Sequence, residues 1–134
     1  MKIFLILLMT ILPTKAFADW LLVYEDQKKE IFIDLENLRF YKDKVRLWLL
    51  EDYKEMQYIK KIQYFSVKSF NEFDCGIKKK RILAYSLYEK KMAKGKVIFS
   101  KGRPFKWSKV EPSTINSVYM NLGCDGLEAN KQSP

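Results

Sequence analysis

Apolar residues in the body of the chain mostly alternate with polar ones. WLLVY (20–24) is a short apolar run, and KEIFID (29–34) alternates after the polar turn EDQKK. Tyr41, Lys42, Asp43 and Lys44 form a polar bend, beyond which Val45, Leu47 and Leu49 alternate with Arg46 and Trp48. A period of two is the mark of a strand with one buried face, so this region predicts a hairpin. Two longer strands are expected over 61–74 and 77–89, the first ending at Asp74-Cys75. KKMAKGKVIFS (90–100) predicts another hairpin, with Gly95 supplying a permissive backbone near its turn. Residues 107–110 predict a short extended piece.

Helical spacing is clear only near the end. Ile115, Val118, Tyr119 and Leu122 fall at i, i+3, i+4 and i+7, one face of a helix. Pro112 and Ser113 suit its start, with Ser113 as N-cap, and Gly123 suits its stop. Residues 126–134 then read as a flexible polar tail.

The opening segment has a different pattern. Lys2 precedes the unbroken apolar run IFLILLMTIL (3–12), Pro13 ends it, and Ala16-Phe17-Ala18 has the small-x-small form of a cleavage site. The run is shorter than the about 20 residues a membrane-spanning helix needs. Residues 1–18 are therefore expected to be a cleaved export signal, with 19–125 as one domain. The cleavage point has no cysteine, so a lipid anchor is not expected, and no later segment is apolar enough to be transmembrane.

Export changes the meaning of the charge and of the cysteines. Without Lys2 and Lys15 the net charge is +7, very unevenly spread: −3 over 19–59, +12 over 60–109 and −2 over 110–134. The central block should attract acidic macromolecules in a salt-sensitive way. Lys78, Lys79, Lys80, Lys90, Lys91, Lys94 and Lys96 are its candidate electrostatic binding residues. The competing reading is that such lysines maintain solubility and protect strand edges. A nucleic-acid partner does not fit an exported chain. Cys75 and Cys124 are the only cysteines, and export makes a disulfide between them the default; free thiols or a bridge between two chains are the alternatives.

Little in the chain suggests catalysis. Histidine is absent, which removes Ser-His and Cys-His pairs and His-based zinc sites. There is no CxxC, GxGxxG or GxxxxGK[ST], and neighbouring carboxylates such as Glu51-Asp52 face opposite sides of a strand. A non-enzymatic protein without metal or cofactor is expected. The many aromatics suit either core and cross-strand packing or a stacking platform for a ligand.

Taken in order, several stretches resemble the surface-adhesin protein E-like family of Gram-negative bacteria. They are Trp20, FIDLENLRF with Asp34, VRLWLLEDYK with Trp48, VKSFNEFDC with Asp74 and Cys75, and the basic run ending in Arg81. MAKGKVIFS with Gly95 follows, then KWSKVEPSTINSVYMNLGC with Trp107, Pro112, Ser113 and Cys124. The resemblance implies an α+β fold: a single antiparallel sheet of about six strands and a C-terminal helix tied on by the Cys75–Cys124 disulfide. It makes Trp20, Asp34, Trp48, Asp74, Arg81, Gly95, Trp107, Pro112 and Ser113 framework positions. It also implies an adhesin for host matrix or serum proteins such as vitronectin, laminin and plasminogen. The alternative is a periplasmic structural or accessory protein that binds a protein partner or an anionic envelope polymer.

Overall fold

Alternation does build strands here: the two flanking the Lys42 bend run further than the pattern suggested, while those expected over 61–74 and 77–89 are slightly shorter. The computed structural model describes residues 19–132; the expected export signal and the last two residues lie outside them. Seven strands form: β1 (Trp20–Glu25), β2 (Lys29–Tyr41), β3 (Lys44–Ile59), β4 (Ile62–Asp74), β5 (Lys79–Tyr88), β6 (Val97–Lys101) and β7 (Ser108–Lys109). They make one antiparallel sheet in the order β1 to β6, while β7 pairs with the far end of β5. Lys42 and Lys60, both at positive φ, turn the tight connections on either side of β3.

Register divides the sheet into two distinct faces, because successive side chains alternate. On one face Ile31, Ile33, Val45, Leu47, Leu49 and Phe73 form the core, covered by the helix α1 (Ile115–Gln132) through Tyr119 and Met120. Helix α1 crosses this face diagonally. Asn116 lies at Lys80 on β5, Gly123 lies over Val45 and Leu47 on β3, and Gly126 lies against Leu38 and Phe40 on β2. Cys124 is bonded to Cys75, just beyond β4, as the intrachain default required. The expected sheet, helix and disulfide are all present.

Two helix expectations need correction. Gly123 does not stop the helix, which continues to Gln132, so the flexible tail expected from residue 126 is helical and buries Leu127. The glycines serve close approach instead. A Cβ on Gly123 would lie 2.9 Å from both Leu47 Cδ2 and Val45 Cγ1, and one on Gly126 would lie 2.6 Å from Leu38 Cδ1. Ser113 is not the N-cap either. It sits at φ 61° in the preceding turn, and Thr114 caps: the Ser117 amide donates to Thr114 Oγ1, and the Thr114 amide donates to Ser117 Oγ. Because Val45 and Leu47 are fully buried, Gly123→Ala is expected to cost about 1–2 kcal/mol. Overpacking outweighs the gain in helix propensity of about 1 kcal/mol. Urea denaturation checks this, and an unchanged or raised midpoint would contradict the close approach.

Candidate functional site

The second face of the sheet carries no helix. In β2 to β5 the register stacks its residues in rows: Arg39, Arg46, Glu72 and Arg81; then Asp34, Trp48, Phe70 and Ala84; then Phe32, Leu50, Lys68 and Ser86. Each row runs across the strands, so neighbours in a row meet side by side.

Glu72 organises the first row. Its side chain is only 1% exposed, and it accepts from Arg46 Nε at 2.6 Å and from Arg81 Nε at 2.9 Å. Burial pushes the Glu72 carboxyl up, but the hydrogen bonds from the two guanidinium groups outweigh it and hold it below the ordinary 4.5. Arg81 lies 4.5 Å from the Trp107 ring centroid, which covers it from the segment leading into β7. The chain has four arginines against twenty-one lysines, and three of the four occupy this row. Planar, many-donor guanidinium suits a shared buried carboxylate better than ammonium does.

The second row is aromatic and half-exposed. Trp48 and Phe70 stack with centroids 4.6 Å apart at 24°, and Lys68 from the next row places its ammonium 4.5 Å over the Trp48 ring. Asp34, at the β2 end, is buried. It accepts from the amides of Glu36 and Asn37 and, at 2.7 Å, from Asn37 Nδ2, which holds the bulge where β2 bends. Trp20 pairs with Asp34 from β1.

The β5–β6 connection folds over the other end of this face. Its short 3-10 turn (Lys91–Ala93) is fixed when Met92 N donates to Asp52 Oδ1 and Ala93 N donates to Ser66 Oγ. Ser66 Oγ in turn donates to Lys90 O at 2.6 Å. Gly95 takes φ 77° in this connection. Met92 and Lys94 line a hollow of about 590 Å³ with Trp20 and Glu36. Between this lid and Trp107 runs a strip of Arg46, Trp48, Lys68 and Phe70.

The seven candidate lysines do not form one patch. Lys90, Lys91, Lys94 and Lys96 are exposed around the lid, at one end of β5. Lys78 and Lys79 lie at its other end, about 30 Å away for a ten-residue strand. Lys80 pairs with Phe73, so it points to the helix face, where its ammonium donates to Asn116 Oδ1 at 2.9 Å. Asp74 has a local task, accepting from the amides of Gly76 and Ile77 to close the turn that carries Cys75. Pro112 and Ser113 belong to the turn before α1. Most of the charge is unneutralised: of the fifteen cations in 60–109, Arg81 and Lys109 are the ones with an ion pair among the described residues.

Sequence reasoning missed Arg46, Lys68, Phe70 and Glu72 as members of a site. Arginine in an otherwise lysine-rich chain was the available signal. No group of three or more potential metal ligands occurs among the described residues, and no described helix is long and apolar enough to cross a membrane.

Comparison with known proteins places this architecture. Two solved structures of Haemophilus influenzae protein E align with TM-scores of 0.64 and 0.60, at 13% and 14% identity. They cover 84% and 91% of this chain, and 91% and 94% of their own chains. A third, protein E from non-typeable Haemophilus influenzae, aligns with a TM-score of 0.60 at 13% identity, covering 84% of this chain and 80% of its own. Such low identity establishes a shared fold. No match is found among curated protein sequences. The family model described as surface-adhesin protein E matches residues 20–125, and the chain belongs to that family.

Proposed function

We propose that this chain is an exported, non-enzymatic binding protein of the bacterial envelope, an adhesin for host matrix or serum glycoproteins of the vitronectin, laminin and plasminogen kind. The observation that carries this reading is the surface-adhesin family match across residues 20–125. The physical features of the molecule are consistent with such work. The unpaired cations of 60–109 supply long-range attraction for an acidic partner. The strip of Arg46, Trp48, Lys68 and Phe70 supplies the close contact, since aromatic and arginine side chains dominate protein interfaces.

The test is titration of immobilised vitronectin, laminin and plasminogen with residues 19–134 at low and at moderate salt. Saturable binding to at least one of them, weakened by salt, is expected. Absence of binding to all three at low salt would overturn the adhesin reading. The double substitution Trp48→Ala, Lys68→Ala should lower affinity by about 2 kcal/mol, roughly 30-fold. Lys78→Ala with Lys79→Ala, at the remote end of β5, should change it by only about threefold or less. Equal losses from the two pairs would move the contact surface away from the strip.

A further inference from the structure

Beside the N-terminal half of α1, on the face opposite the aromatic strip, the sheet and helix enclose a groove of about 580 Å³. Its polar wall holds Lys80, Asn116, Ser69, Asn71 and the Lys29–Glu51 pair; Tyr24 and Tyr119 supply aromatic surface. The volume falls within the usual range for small-molecule sites. Two groups in it keep hydrogen-bonding capacity that no protein group takes up, although no side-chain polar atom of the described residues is both buried and unpaired.

The first is Lys80. Its stem is inside the helix–sheet interface and its ammonium sits 5.8 Å from the Phe73 ring centroid. Among the described residues it has no carboxylate within 4 Å, and its one hydrogen bond goes to the neutral amide oxygen of Asn116. Glu51, the nearest acid lining the groove, is engaged by Tyr53 Oη at 2.8 Å and by Lys29 at 3.7 Å. Burial lowers the affinity of Lys80 for its proton, and the Glu51 charge only partly opposes this. The second is Tyr119, buried as a residue, whose hydroxyl has no hydrogen bond among the described residues and is not itself sealed from solvent. Here a cation and a hydroxyl line the same cavity, with Ser69 and two asparagines beside them.

We propose that this groove binds a compact, hydroxylated organic carboxylate, with Lys80 taking the carboxylate and Tyr119 and Asn116 the hydroxyl groups. The chemistry is that of an acidic sugar, free or as the terminal residue of a polymer. The site is independent of the adhesin reading: it uses the other face of the sheet and none of the strip residues.

Amide chemical shifts of ¹⁵N-labelled residues 19–134 would be followed during titration with D-glucuronate, with a glucuronate-terminated oligosaccharide, and with D-glucose as the neutral control. Saturable shifts at Ser69, Asn71, Lys80 and Asn116 with either acid, and much weaker ones with glucose, are expected. Response to the oligosaccharide alone would assign the polymer end as the source. Lys80→Met keeps the buried stem and should weaken binding about tenfold or more, as loss of a charge-assisted hydrogen bond does. Tyr119→Phe should weaken it about fivefold. Lys79→Met, one residue away on the other face, should leave it unchanged. If Lys80→Met fails to fold, Tyr119→Phe still decides. No saturable shift in the groove with either acid, equal response to glucose, or equal loss from Lys79→Met would overturn the proposal.

Discussion

Serine at both Cys75 and Cys124 should destabilise the protein by about 4 kcal/mol. The bond closes a loop with a sequence separation of 49. Opening a loop of that length returns about 4 kcal/mol of chain entropy to the unfolded state. The bond also has a local consequence. Without it, α1 is held by an apolar interface centred on Tyr119, Met120 and Leu127, by the Lys80–Asn116 hydrogen bond at 2.9 Å and by the Lys131–Asp43 contact at 3.4 Å. Exposed ion pairs of that kind contribute little. Hydrogen exchange over 115–132 should therefore accelerate more than exchange in β3 and β4. Guanidinium denaturation with and without reductant measures the global effect. A loss under about 1 kcal/mol would mean that packing alone secures the helix.

Glu72→Gln carries the second large expectation, a loss of about 2 kcal/mol. Removing one partner from a buried ion cluster strands the others, at a cost that reaches about 3–5 kcal/mol when all are buried. Arg46 and Arg81 are 41% and 27% exposed, so solvent recovers part of it. The substitution also has a pH signature. Glu72 is held below 4.5 in the folded state, so the unfolded chain takes up its proton first as pH falls. Its contribution is present above about pH 4.5 and disappears as pH drops through the lowered folded value. Stability of the natural protein should thus fall in acid more steeply than that of Glu72→Gln, and the two curves should converge. Parallel curves from pH 7 to pH 3 would remove Glu72 as the organiser of the Arg46–Arg81 row.

The strands were readable because alternation survives wherever one face is buried against α1, as at Val45, Leu47 and Leu49. It fades in β3 beyond Tyr53, where Lys54, Glu55 and Met56 are exposed, and there the strand continues unannounced to Ile59. Gly123 carried a misleading signal. A glycine after a helical face usually ends the helix, but here it lets the helix approach Leu47, and tertiary contact overrides propensity. The run Lys78, Lys79, Lys80 looked like one basic feature. Period two sends Lys80 into the helix interface while its neighbours stay exposed, so linear charge did not translate into a patch. The aromatic strip was illegible for a related reason. Trp48 and Phe70 are 22 positions apart, and only the β3–β4 register brings them together.

The adhesin reading requires the protein to face the outside of the cell. Labelling of intact native cells with an antibody raised against residues 19–134, compared with cells whose outer membrane has been permeabilised, tests it most directly. Strong labelling before permeabilisation, lost after protease treatment of the intact cells, is the expected result. Labelling that appears only after permeabilisation would confine the protein to the periplasm, beyond reach of any host matrix, and contradict the adhesin reading.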